Sequence, residues 1–550
     1  MRPWAAMAAL SSVILCWPAT ARAGQALDRV DAVNAQRGLP ERDTAPPPRT
    51  TIPIEVEPVR TAESGGGSVL VGAVTLSGLQ AMTPADFADT IVERVGHTLD
   101  SIQLAGLASE IAARARDRGY AFATAWIESQ RLANGVLVVH VDEGRIDEIR
   151  FDGPEQSAVR RALAPLISGK PARVEEVERR LLIAGDIDGV RIRSSRFLRE
   201  KDRGILLVRV TQDHVSARAE ISNDGTRPIG PEELHIDVDF NGLLAADDAL
   251  VVTYLGTPAQ FGELQFGRVR YVRRVSGSGT ELALVALATH ARPGAAIAPL
   301  DITSRSWFAG FDLLQPLLRR RDASLWLNAE LGVRDSVLDR AGARLRHDRL
   351  ATARVTLHGY SDFAGGRLYA NATLSQGLGI LGATRASDPL ASRNDADGVF
   401  TALAAGSDWT RDLSGPLSVR LAMQMQIASE PLLLAEEIGL GGSGFLRGYD
   451  WSERSGDDGA MASIELRYMI NHPFGVIPYA QLYAFVDGGT VTNLKGGDGG
   501  GTLASAGGGM RAGISEKMGA NVEVAVPLSG PRYDSGDDTP KINFRIVHSF

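Results

Sequence analysis

A closed membrane β-barrel behind two small α+β modules is the architecture this sequence predicts, and three observations carry the expectation. First, beyond its amino-terminal end the chain has no run of the roughly 18 or more apolar residues that a membrane helix requires, so a membrane protein of this kind has to cross as a closed barrel. Second, from His214 to Phe550 strict apolar/polar alternation recurs in segment after segment. Third, between Val69 and Gln212 strand-like and helix-like periods take turns, in an order that occurs twice.

The first residues bear on compartment. Met1-Arg2-Pro3-Trp4 leads into an apolar run over 5–17, and Ala21-Arg22-Ala23 precedes Gly24, the layout of a secretory signal over residues 1–23 with an A-x-A cleavage site. The one cysteine, Cys16, lies in that run after Leu15, whereas a lipoprotein signal has a small residue just before its cysteine. A chain starting at Gly24 carries no thiol, which suits an oxidising compartment and leaves neither disulfides nor thiol catalysis. With 58 Lys and Arg against 66 Asp and Glu, the formal charge of -8 argues against a nucleic-acid partner.

Residues 24–38 can form a short helix, with Leu27, Val30 and Val33 on one side and Asp28, Arg29, Asp31 and Arg37 on the others, ending at Gly38. Residues 39–67 contain Pro40, Pro46, Pro47, Pro48, Pro53 and the glycines 65–67, which predicts an extended linker with little chance of packing. A first module over 68–143 reads as a strand at 69–76, helices at 84–95 and 102–118, and strands at 122–128 and 136–141, with Gly119 stopping the second helix. A second module over 144–212 repeats the order: strand 146–151, helices 156–166 and 174–183, strands 190–194 and 204–210.

Over 213–550 the helical period disappears. Leu234, Ile236, Val238 and Phe240 share one face of a strand, and His235, Asp237, Asp239 and Asn241 share the other. The same dyad runs through 417–427 and 463–468. Taken singly, such a strand serves a soluble sandwich as well as a barrel. Repetition over more than 300 residues, with turns rich in Gly, Asp, Asn and Ser, favours apolar side chains toward lipid and polar ones toward water. The end of the chain, Ile542-Asn543-Phe544-Arg545-Ile546-Val547-His548-Ser549-Phe550, alternates and closes on an aromatic, as befits a last strand that pairs with the first.

Several local motifs stand out. Gly119-Tyr120-Ala121-Phe122-Ala123 is followed by Gln130, Gly135 and Glu143-Gly144; the second module has Arg180-Leu181-Leu182 and Asp188-Gly189-Val190. Asp186-Ile187-Asp188-Gly189 lacks the later ligands and bidentate glutamate of a calcium loop, so turn chemistry is the better reading. The barrel region opens with Ile221-Ser222-Asn223-Asp224-Gly225-Thr226-Arg227-Pro228-Ile229-Gly230. Leu440-Gly441-Gly442-Ser443-Gly444-Phe445-Leu446-Arg447-Gly448-Tyr449 precedes Phe485-Val486-Asp487-Gly488-Gly489 by some forty residues.

Together these motifs resemble transporters of the ShlB/FhaC/HecB (TpsB) family, the membrane partners of two-partner secretion, in the superfamily that includes the BamA insertase. The resemblance covers almost all of the chain after residue 23. It implies a plug helix (24–38), a linker (39–67), two POTRA domains (68–143 and 144–212) and a barrel of sixteen antiparallel strands (213–550). It makes Gly119, Tyr120, Gln130, Gly135 and Gly144 the POTRA pattern and Phe550 the carboxy-terminal barrel signal. Arg447, Gly448 and Tyr449 become the tip of a long loop folded back into the barrel, with Leu446 where valine is more usual. Phe485, Asp487 and Gly488 become the motif on the inner wall that receives the arginine. A guanidinium in a partly dehydrated lumen needs a planar acceptor, and a carboxylate takes it through two charge-assisted bonds; alone, Arg-Gly-Tyr would read as a surface arginine in a glycine-rich loop.

The implied activity is export: capture of a large secreted exoprotein, unfolded and bearing an amino-terminal secretion domain, and its passage through the barrel to the surface of a Gram-negative cell. Outer-membrane lipids and the barrel assembly machinery are the further partners, the POTRA domains stand in the periplasm, and no cofactor or nucleic acid enters. A BamA- or TamA-like insertase is the alternative, and a passive porin leaves the modules unexplained. The sequence contains no His-Glu-x-x-His, no Gly-x-Ser-x-Gly and no phosphate loop, and nine histidines lie without ligand spacing, so no enzyme is expected.

Overall fold

A computed structural model describes residues 27–32, 54–56, 68–153, 156–200 and 203–550. The signal segment expected over 1–23, and most of the segments expected as plug helix and linker, lie outside the described residues.

Sixteen antiparallel strands form a closed barrel from Val215–Ser222 to Lys541–Ser549. Alternation is what allows this, because each strand offers apolar side chains outward while its backbone is satisfied by two neighbours. Leu421, Met423, Ile464 and Leu466 point outward and are exposed, whereas Ser463 and Glu465 between them are buried inside. Both modules precede the first strand, so its start and every second turn thereafter lie on the module side, and the alternate turns lie on the far side. Three neighbouring strands, Ile302–Arg319, Ala323–Arg340 and Ala343–Phe363, have 18, 18 and 21 residues, well beyond the roughly 9–11 needed to cross a bilayer.

The barrel closes where Arg218 to Ser222 pair with Ser549 to Arg545. Asn223 clasps this seam: its amide donates to Ile542 O at 2.7 Å and accepts from Phe544 N at 2.8 Å. Arg545 adds an ion pair to Glu220 at 3.1 Å and another to Asp224.

In the first module a sheet of Ala73–Ser77, Val136–Asp142 and Thr124–Trp126 packs on the helix Ser101–Asp117. The helix starts at a reciprocal cap, with Asp100 accepting from Gln103 N at 2.8 Å and Gln103 accepting from Asp100 N at 2.9 Å. It buries Leu107, Ala108, Ile111 and Ala115 and stops at Gly119, whose φ of 95° is left-handed. The single strand expected over 69–76 is two: Val69–Leu70 pairs with Thr98–Leu99, and Ala73–Ser77 runs parallel to Val136–His140. Between them Val71 is buried and donates to His97 O, while Gly72 donates to Gly135 O, so the chain changes partners there. The helix expected over 84–95 is a 3-10 turn, Pro84–Phe87, followed by the shorter helix Ala88–Val92.

The second module has the sheet order Ile54–Val56, Val190–Glu200, Arg203–Gln212, Glu148–Asp152, with helices Ser157–Leu163 and Val174–Gly185. Its first strand corrects, at residues 54–56, the expectation of an extended linker with little chance of packing over 39–67: Ile54, Glu55 and Val56 pair in parallel with Ser195, Arg196 and Phe197. Phe122 of the first module stacks on Phe197 of the second at 4.0 Å, and Arg199 pairs with Asp142 across the same junction. The second module is fastened to the barrel as well. Arg319, at the module-side end of its strand, donates to both oxygens of Asp186 at 2.7 and 2.8 Å, and Arg161 reaches Asp247 at 2.8 Å. Asp186 therefore opens the turn closed by Gly189 (φ 74°) and also docks the module, a role the sequence did not suggest.

Candidate functional site

Between the strands Leu417–Ala428 and Asp458–Asn471, residues 429–457 fold back into the lumen and pair with themselves through Ile438–Leu440 and Arg454–Gly456. Three small adjustments bring the tip to the wall. Leu446 takes a left-handed φ of 56° and packs with Ile438, Leu440, Tyr449, Met461 and Val491. Gly448 lies so close to the wall that a Cβ would stand 2.8 Å from Pro527 N, which excludes any larger residue. Tyr449 is buried, with its hydroxyl donating to Gly530 O at 3.2 Å and accepting from Ser529 N at 2.8 Å.

Arg447 ends in a nest of acceptors. Its Nε and Nη2 donate to the two oxygens of Asp487 at 3.0 Å each, and its backbone N donates to Asp487 Oδ2 at 3.1 Å. Nη1 reaches Glu465 at 2.8 Å and Glu523 at 3.2 Å, Nη2 reaches Ser463 Oγ at 3.1 Å, and the guanidinium carbon sits 3.3 Å from the centroid of the Phe485 ring. Glu465 is itself held by Arg467 at 2.6 Å and by Arg511 at 2.6 and 3.1 Å, while Tyr483 donates to Glu523 at 2.9 Å. Three guanidinium groups thus meet three carboxylates, and burial of any one charge is offset only while the set is complete. Asp487, Glu465 and Ser463 are essentially inaccessible to solvent.

Sequence reasoning brought Arg447, Phe485 and Asp487 to one place, and the geometry does the same. It missed Glu465, Glu523 and Ser463, whose inward position in an alternating strand is the same as that of many other polar residues. Gly488 stands apart from the group: it is on the outward side of the wall, and a Cβ there would meet nothing within 4 Å. The next residue, Gly489, makes the close approach, with a Cβ falling 2.9 Å from Met461 and 3.1 Å from Leu446.

The described part of the amino-terminal segment also lies in the lumen. Residues 27–32 make a helical turn in which Arg29 pairs with Glu453 and with Asp534, both at 2.7 Å, and Asp28 pairs with Arg346 at 2.6 Å. Ala32 N and Asp31 meet Ser304 Oγ at 2.9 and 3.1 Å, and Val30 packs on Ile302 and Leu338. These partners belong to the far-side half of the barrel, and Glu453 belongs to the in-folded loop.

The module residues singled out from sequence stand far from Arg447 and build local geometry. Gly135 (φ 72°) and Gly144 (φ 81°) make turns, and at Gly144 a Cβ would fall 2.5 Å from Phe122 Cβ. Gln130 supplies a substitute for a neighbouring strand: its amide donates to Val138 O at 2.7 Å and accepts from Val138 N at 3.0 Å. Tyr120 is buried under Arg173, 5.7 Å from its ring centre. Glu143 accepts three backbone N–H groups, from Gln80, Ala81 and Met82. Phe550 donates its N–H to Ala217 O at 2.8 Å and leaves its ring exposed beside the seam. Among the described residues no group of His, Cys, Asp and Glu has the spacing of a metal site.

A sixteen-stranded barrel with a loop anchored on its inner wall and α+β modules at its entrance, in a chain that matches the ShlB/FhaC/HecB family over residues 204–512, defines an outer-membrane protein with its amino-terminal domains in the periplasm. The chain belongs to the family described as haemolysin secretion/activation protein ShlB/FhaC/HecB, which matches residues 204–512, and the ShlB-type POTRA domain matches residues 69–144. It is 25% identical to the outer membrane transporter CdiB of Escherichia coli over 222 residues, which are 40% of this chain and 37% of that protein. To the heme/hemopexin transporter protein HuxB of Haemophilus influenzae it is 22% identical over 248 residues, 44% of this chain and 43% of the relative. The matched length is thus less than half of each of these relatives. In fold, the structure of CdiB from Escherichia coli is similar over 97% of this chain and 98% of that one, with a TM-score of 0.68 at 19% identity. BamA from Haemophilus ducreyi lacking POTRA domains 1-3 is similar over 88% of this chain and all of that one, with a TM-score of 0.54 at 14% identity.

Proposed function

We propose that this protein exports one large secreted protein, received unfolded in the periplasm by the two modules, through its barrel to the cell surface. The observation that carries the reading is the in-folded loop locked to the wall through Arg447, Asp487, Glu465 and Glu523, at the end of a lumen entered from the modules. In the resting state the loop and the turn at 27–32 occupy the path, and the turn is held mainly by ion pairs that an entering chain can replace. Residues 24–38 act as a removable plug. The modules take up cargo by adding one of its strands to a sheet edge. Thr124–Trp126 pairs only with Val136–Asp142 among the described strands, whereas the edge at Val190–Glu200 carries Ile54–Val56, which cargo would have to displace. Transport is driven by folding of the cargo outside, and no catalytic step or cofactor is involved. Barrel assembly machinery places the protein in the membrane.

An insertase similar to BamA is the second reading, favoured only by likeness of fold. Proteoliposomes containing the full chain separate the two. The amino-terminal secretion domain of a large β-helical protein encoded beside it should reach a protease-protected lumen, while barrel precursors should insert no faster than into empty vesicles. Faster insertion without translocation would replace export by insertion.

A further inference from the structure

On the outside of the barrel, at the far-side ends of the longest strands, one row of directly opposed residues runs Tyr254, Gly267, Ala288, Trp307, Asp335, Arg349. With no side chain at Gly267 and only a methyl at Ala288, the face between Tyr254 and Trp307 holds a trench, part of a cavity of 760 Å³. At Gly267 an added Cβ would meet nothing within 4 Å. On the same face nearer the membrane centre come Leu284, Phe311 and Leu331, all exposed and directly opposed to one another across the strands. On the other side of the trench the face turns basic, with His290 opposed to Arg305, then His347 and Arg344. The apolar belt therefore ends at Trp307, where an interfacial aromatic belongs, and cations begin immediately beyond it.

The cations are held in place. Asp339 accepts from Arg305 at 2.8 Å and from Arg344 at 2.6 Å, and Asp335 meets Arg349 at 2.8 Å and His347 at 3.0 Å. Each of the three arginine contacts occupies one donor of a guanidinium that has five. Three guanidinium groups face two carboxylates, so the cluster carries excess positive charge in a fixed arrangement suited to phosphate oxygens.

We propose that this face binds lipid A, the phosphorylated glycolipid of the outer leaflet. Its phosphates lie on Arg305, Arg344 and Arg349 and an acyl chain fills the trench over Gly267 and Ala288. The far-side position selects the outer leaflet, and the pairing of basic rim with apolar trench selects an anionic amphiphile over a free anion. The site is separate from the lumen and does not depend on what the barrel exports.

The test is native mass spectrometry of the full-length protein in detergent, with bisphosphorylated lipid A, its dephosphorylated counterpart and phosphatidylglycerol as probes. Wild-type protein should retain bisphosphorylated lipid A about tenfold better than either other lipid, a ratio charge-assisted bonds readily supply. Replacing Arg305, Arg344 and Arg349 by Gln should abolish the preference. Gly267→Phe, which keeps every charge and fills the trench, should reduce retention as well and decides the matter if the triple variant does not assemble. Equal retention of phosphatidylglycerol would overturn lipid A as the occupant. Undiminished preference in an assembled triple variant, or undiminished retention of bisphosphorylated lipid A by Gly267→Phe, would overturn the site.

Discussion

Arg447 and Asp487 are joined by two parallel guanidinium–carboxylate bonds of 3.0 Å, and the same carboxylate also accepts the backbone N–H of Arg447 at 3.1 Å. One side chain of the wall thus fixes both the charge and the backbone of the loop tip. Arg447→Ala should leave Asp487, Glu465 and Glu523 without their shared cation, and breaking so buried a pair costs about 3 to 5 kcal/mol. The expected outcome is loss of secreted cargo with an assembled barrel, read from cargo in the medium and heat-modifiable gel migration. Normal secretion by both Arg447→Ala and Asp487→Ala would remove the anchor from the account.

The surrounding carboxylates change what a charge exchange should do. Placing Asp at 447 puts it against Glu465 and Glu523, so the combination Arg447→Asp with Asp487→Arg should be as defective as either single variant. Arg447→Lys should retain part of the secretion, because it keeps the charge and loses the planar fork. Full rescue by the exchange would show that Glu465 and Glu523 contribute little.

The turn at 27–32 and the loop share the contact between Arg29 and Glu453. Arg29→Ala and Glu453→Ala should each raise ion conductance in planar bilayers, as should deletion of 24–38, and the double variant should add little to Arg29→Ala, which already removes the contact to Glu453 along with that to Asp534. Unchanged conductance in the deletion would sink the plug.

Ala219 and His548 face each other across the seam. The chain's only cysteine is Cys16, so a disulfide between Ala219→Cys and His548→Cys can be formed selectively. Export through the lumen should persist at the rate of the reduced form. An insertase that releases clients sideways should stop, and that result would favour the second reading.

Arg319 is buried and its fork is filled by Asp186. Asp186→Ala should loosen the second module from the barrel, seen as faster proteolysis near residue 213, with the barrel itself intact. Because Asp186 is partly exposed, the loss should be smaller than for Arg447.

The barrel was legible because its physics is local: Leu421, Met423 and Ile464 alternate with inward neighbours whether or not the partner strands are known. The wall contact of Arg447 was legible only through resemblance, since nothing in spacing alone relates residue 447 to 487. Glu523, 76 positions from Arg447, carries no mark that separates it from other inward residues. Gly488 was singled out where Gly489 makes the contact, because the strand's facing decides between adjacent glycines. The break at Val71 and Gly72 and the pairing of Ile54–Val56 depend on tertiary partners that local preference does not encode.

The bond between Arg29 and Glu453 makes the turn and the loop thermodynamically reciprocal. Whatever free energy the seated turn lends to the loop, the seated loop must return to the turn. On the proposed export route, a cargo chain that dislodges one then finds the other already weakened, which gives opening a threshold: an excursion of either element alone is opposed by its neighbour, and a ligand that engages both passes it most readily.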